Sequence, residues 1–179
     1  MTKSLFRIVS GLLLLLVSVG LVTACSGGDP YSDLQGLTAE QLFSNGEQAL
    51  AKKRHRQAIR YYEYLEATFP FSPYAEQAHR NLIYSYYENH EMSAAASSAE
   101  RFTRLYPSSS YVDYAYYMKG VANFEQDRGV LFRAVPLDIS MRDMSDQLQA
   151  YRDFVTLSQR FPNSKYTPAA KQYVIYIRN

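Results

Sequence analysis

Three histidines are the first candidates for acid–base or metal chemistry: His55, His79 and His90. A helix that binds a metal supplies ligands three or four residues apart, and these three are 24 and 11 positions apart. They read as surface or groove residues, so no metal site is expected. The chain contains no Gly-x-Ser-x-Gly, no P-loop and no Gly-x-Gly-x-x-Gly, which removes the nucleophile-elbow and phosphate-cradle chemistries. Glu88 and Glu125 have the chemistry of a general acid, as helical cell-wall lyases use it, but a solvated helix face accounts for them as well. No catalytic residue and no cofactor are therefore assigned. Recognition chemistry is better represented. Arg80, Tyr84 and Tyr87 are spaced by four and three, which places all three on one face of a helix. A guanidinium can fork onto a carboxylate, and tyrosine rings offer apolar area at small entropic cost.

The remaining reactive residue is Cys25, the only cysteine, which has no partner for an internal disulfide. It follows a positive start (Lys3, Arg7) and an apolar run from Ile8 to Val22, which is too short to span a bilayer as a helix and ends in small residues. "LVTAC" resembles the bacterial lipobox. That resemblance implies a signal peptide over 1–24, cleavage before Cys25, and lipid on its sulfur and new amino terminus. Ser26, rather than Asp, then points to the outer membrane. Residues 25–36, rich in Gly, Ser and Asp, read as a flexible tether. Removing 1–24 takes away only Lys3 and Arg7, so the 19 basic residues become 17 and balance the 17 acidic ones. A chain without net charge has no electrostatic case for nucleic acid. The one basic run, Lys52 to Arg56, reads as a solvated turn, with contact to a lipid headgroup as the alternative.

The elements that must position these side chains are helices. From Leu37 onward the apolar spacing is helical, and no alternating run is bounded by hairpin residues. Thr38 with Gln41 and Ser110 with Asp113 have capping-box spacing, while Ser72-Pro73 and Thr167-Pro168 look like a cap followed by proline at the first helical position. An aromatic followed by Pro-x-Ser-x-Tyr occurs three times, at Pro70, Pro107 and Pro162. Each proline lies 12 residues after an alanine, namely Ala58, Ala95 and Ala150, and glycines precede two of those alanines, Gly46 and Gly120. Small residues let antiparallel helices cross closely, and proline ends each pair. This order resembles the tetratricopeptide repeat. The expected fold is an all-α, right-handed solenoid over 37–179. Its repeats run about 38–71, 75–108 and 112–163, and a fourth starts from 167. Pro107 to Pro162 exceeds Pro70 to Pro107 by 18 residues, which places an insertion within 126–145.

In this register the concave groove takes Phe43, Glu47 and Leu50 from repeat 1, then Gln77, Arg80, Tyr84, Tyr87 and Glu88 from repeat 2. Repeat 3 adds Tyr114, Tyr117, Val121, Phe124 and Glu125. Each tyrosine either lines the groove or packs under the next helix. Arg80, Tyr84, Tyr87, Tyr117 and Phe124 form the candidate peptide site.

"FPFSPYAEQAHRNLIYSYYENHE", "DISMRD" and "AYRDFVTLSQRFPNSKYTPAA" together resemble the BamD/ComL family of lipoproteins, over nearly all of 25–179. Asp138, Ser140, Arg142 and Asp143 match a family motif, whereas Ile139 stands at a position that is usually basic. The resemblance implies a non-catalytic scaffold of the β-barrel assembly machinery, lipid-anchored on the periplasmic face of the outer membrane. It implies as partners the barrel-forming subunit, accessory lipoproteins and unfolded outer-membrane proteins, whose C-terminal signals the first repeats receive. Family members usually carry five repeats, so the chain reads as a fragment of a longer product. A pilotin or a cell-wall enzyme adaptor is the alternative, but neither would carry the insertion ending in "DISMRD".

Overall fold

The computed structural model describes residues 30–126 and 145–179, in two units divided between Gln35 and Gly36. Cys25, the signal segment and the loop residues Asp138, Ser140, Arg142 and Asp143 lie outside the described residues. In the first unit the described part holds one 3₁₀ turn, Ser32–Leu34. The described part of the second holds seven helices: α1 (Ala39–Ala51), α2 (His55–Thr68), α3 (Ala75–Glu88), α4 (Met92–Leu105), α5 (Val112–Gln126), α6 (Ser145–Arg160) and α7 (Thr167–Arg178). Each packs on the next in sequence, and α1–α3 and α3–α5 also touch. This is the neighbour-to-neighbour order of an all-α, tetratricopeptide-like solenoid. No helix among the described residues is long and apolar enough to cross a membrane.

Close crossings set the pairing. Gly46 lies against the Tyr62 ring so tightly that a Cβ there would overlap it, and a Cβ on Gly120 would sit 2.7 Å from Cε1 of Phe154. Both rings are fully buried, as are Ala58, Ala95 and Ala150. The middle repeat solves the same packing with the sizes exchanged. Ile83 stands where the other two repeats have glycine, and Ala99 stands where they have the ring; both are buried in one cluster with Phe102 and Ala115.

The recurrent turn has one backbone. The carbonyl of Phe69, Tyr106 or Phe161 accepts from the N–H of the serine three residues on (3.1, 3.1 and 3.0 Å). The serine carbonyl in turn accepts from the N–H of Ala75, Val112 or Thr167 (3.0, 3.2 and 3.1 Å). Two consecutive four-residue turns thus hand each helix pair to the next. The side chains do more than cap. Ser109 donates to Glu76 (2.6 Å) and Ser164 to Asp113 (2.6 Å), each reaching the first turn of the preceding pair's leading helix. The equivalent position for Ser72 is Ala39, and Ser72 Oγ has no partner among the described residues.

Some local expectations need correction. Thr38 and Gln41 do form a capping box, at 3.2 and 2.9 Å. Ser110 and Asp113 do not, because α5 starts at Val112 and Asp113 serves Ser164. Tyr74 and Tyr166 are the N-caps where serine and threonine were expected, and the Thr167 hydroxyl donates instead to the Phe161 carbonyl (2.7 Å). His79 is not a surface residue but 1% exposed. Its Nδ1 lies 2.9 Å from Glu66 and its Nε2 2.9 Å from the Ser98 carbonyl, with the ring edge-on to Phe102 and Tyr106.

Candidate peptide-binding groove

Leading helices α1, α3 and α5 carry the expected groove residues, and α3 supplies the only guanidinium among them. Arg80 uses Nε and one Nη on Asn81 Oδ1 (3.2 and 3.0 Å), and its carbon lies 4.5 Å from the centre of the Tyr111 ring. The other Nη takes no part in these bonds. Asn81 is itself held by Glu47 (2.5 Å) and the Tyr62 hydroxyl (3.2 Å), and Tyr62 donates to Glu47 (2.9 Å). The cation is therefore oriented by a network that spans α1, α2 and α3. A guanidinium fixed in this way loses little entropy on meeting a carboxylate.

One helical turn on, Tyr84 is 42% exposed, with its ring edge-on to His55 at 6.0 Å. Facing this pair from α5 is half-buried Tyr114, whose phenol is pushed above its usual range by burial and by Tyr166, against a lowering pull from Arg80. Tyr114 stays neutral and can donate a hydrogen bond at any physiological pH.

Tyr87 turns the other way. Its hydroxyl donates to Glu125 (2.9 Å), and burial, then that bond, raise its phenol. It packs in one cluster with Tyr117 and buried Phe124. Tyr117 stacks on Tyr166 at 4.9 Å, and Phe124, 4% exposed, meets Tyr173 and Tyr176 edge-on at 5.0 and 5.6 Å. Tyr117, Phe124, Ala169, Gln172, Tyr173 and Tyr176 line a recess of about 460 Å³. The five sequence-chosen residues thus fall into two groups: Arg80 with Tyr84, and Tyr87 with Tyr117 and Phe124. Val121 is buried as well.

Sequence reasoning missed Tyr111, Asn81 and Tyr173. Tyr111 was visible as part of the repeated turn, and its distance of one repeat from Tyr74 was the available signal.

The model of the YfiO family, described as outer membrane lipoprotein, matches residues 35–179. The chain belongs to this family. Among curated relatives, the outer membrane protein assembly factor BamD of Neisseria gonorrhoeae is 35% identical over 163 residues, covering 88% of this chain and 61% of that protein. BamD of Xylella fastidiosa strain 9a5c is 34% identical over 168 residues, covering 94% and 58%. BamD of Vibrio cholerae is 33% identical over 174 residues, covering 97% and 70%. The chain spans about three fifths of the length of the first two of these relatives.

Proposed function

We propose that this protein acts in outer-membrane protein assembly as a non-catalytic, lipid-anchored scaffold. Its groove receives the C-terminal segment of an unfolded barrel protein. Family membership supports the process, since the relatives are named outer membrane protein assembly factors. One geometric observation supports the groove: the Arg80 guanidinium rests on Tyr111 with an Nη to spare, one helical turn from exposed Tyr84. A chain end that carries an aromatic ring and a free carboxylate matches a cation set among rings. Cys25 holds the protein at the periplasmic face of the outer membrane.

The test is isolation of the tagged, full-length gene product from solubilised outer membranes, followed by identification of what accompanies it. A barrel-forming assembly subunit with its accessory lipoproteins is the expected result. Recovery of a pilus secretin or a cell-wall hydrolase in their place would replace this reading with the pilotin or adaptor one.

A further inference from the structure

The turn between α1 and α2 concentrates charge in a way no other described segment does. Lys52, Lys53, Arg54, Arg56 and Arg60 place five cations in nine residues, and no acid lies between Glu47 and Glu63. From Cys25 onward the chain is balanced, so everything else carries 12 cations against 17 acids. Lys53, Arg54 and Arg56 are exposed, and none is in an ion pair with a described residue. With His55, Arg60 and Asn89 they wall a recess of about 560 Å³. His55 Nδ1 is shielded from solvent there and has no hydrogen-bond partner among the described residues.

The molecule contains its own comparison. The α3–α4 turn has the same backbone: φ is 62° at His90 and 55° at Lys53, and the next residues, Glu91 and Arg54, have φ, ψ of −93°, 66° and −92°, 65°. There the N-cap is an acid, and Asn89 Nδ2 donates to the Glu91 carboxylate. In the α1–α2 turn the N-cap is Arg54. Neither N-cap side chain caps its helix and neither helix has an acid in its first turn, so the difference is the N-cap itself, a cation in one copy and an acid in the other. A helix N-terminus already carries partial positive charge, so cations placed on it repel rather than stabilise. One backbone thus carries charge that is internally answered in one copy and left unanswered in the other. The recess has room for an anion.

We propose that the α1–α2 turn is a binding site for a phosphate-class anion, with Lys53, Arg54 and Arg56 as its ligands. A lipid phosphodiester headgroup and free phosphate share this chemistry. The recess meets the groove only through the His55–Tyr84 ring contact; its ligands lie outside the groove, and it does not depend on the groove reading.

The test uses the full chain reconstituted in phosphatidylcholine vesicles, with acylation of lysines read by mass spectrometry. Lys53 is the reporter, and exposed Lys171 on α7 is the internal control. Three arms are compared: phosphatidylcholine alone, phosphatidylcholine with phosphatidylglycerol, and phosphatidylcholine with millimolar inorganic phosphate. Each cation close to an anionic surface changes binding by roughly fivefold. Lys53 labelling is therefore expected to fall about fivefold or more with phosphatidylglycerol, Lys171 to stay unchanged, and high salt to reverse the effect. Protection only by lipid identifies a headgroup, and protection by inorganic phosphate identifies the free anion. Equal Lys53 labelling in all three arms overturns the site. In the double variant Arg54→Gln/Arg56→Gln, whose thermal melt checks folding, protection should be lost. Undiminished protection in that folded variant also overturns it.

Discussion

At the residue scale, the serine of the recurrent turn separates two roles that look identical in sequence. Ser109 and Ser164 each donate to a carboxylate one repeat back, whereas Ser72 Oγ has no acceptor among the described residues, Ala39 occupying the matching position. A hydrogen bond to a charged group contributes about 1.5–3 kcal/mol when well enclosed, and less where water reaches it. Ser109→Ala is expected to lower unfolding stability by about 1–2 kcal/mol, and Ser72→Ala to stay within about 0.5 kcal/mol. Urea titration of the two variants checks this; equal losses would mean that the turn backbone, not the tie to Glu76, provides the stabilisation. The tie was hidden in sequence because Asp113 lies three residues after Ser110 and so looks like a local cap. Its actual partner, Ser164, is 51 residues away. His79 was misread for a related reason. Imidazole suits a polar surface and an aromatic core equally, and only the fold brings Glu66, Ser98 and Phe102 around it.

At the element scale, the spacing of small residues made the helix pairs legible, because close crossing demands small side chains at fixed intervals. The exchange of Ile83 and Ala99 for the glycine–ring pair left no such mark, since volume is conserved across the contact rather than at either position. Gly120→Ala tests the crossing. In an open helix this change stabilises by about 1 kcal/mol, but here the new Cβ meets a fully buried Phe154 ring. Overpacking costs about 1–3 kcal/mol and wins, because the enclosed ring has nowhere to go. The expected result is a melting temperature lower by several degrees, partly restored when Phe154→Leu makes room. Ala95→Leu should destabilise by a similar 1–3 kcal/mol, since Ala95 is fully buried in a cluster with Ala96 and Ala122. A melt unchanged by either substitution would contradict the pairing.

At the scale of the whole molecule, the proposed anchor and the groove are tested apart. Each buried methylene of an acyl chain contributes about 0.8 kcal/mol, so the several chains proposed for Cys25 would hold the protein firmly. Cys25→Ser is expected to yield unprocessed or soluble periplasmic protein on fractionation, and a processed mutant that stays membrane-bound without partners would remove the lipid assignment. The groove residues were only half legible. Helical spacing found Arg80 and Tyr84, but the division of Tyr87 from them depends on Glu125 and on packing from α6 and α7. The central claim is that Arg80 reads a chain-terminal carboxylate beside aromatic rings. Its most direct test is titration of one peptide ending in an aromatic residue, as free acid and as amide, against the wild-type protein, Arg80→Ala and Tyr84→Ala. The wild type is expected to prefer the acid by about tenfold or more, the value of a charge-assisted bond of about 1.5 kcal/mol. Arg80→Ala should bind both forms equally, and Tyr84→Ala should weaken both while keeping the preference. An Arg80→Ala protein that still prefers the free acid by the wild-type ratio would contradict the account.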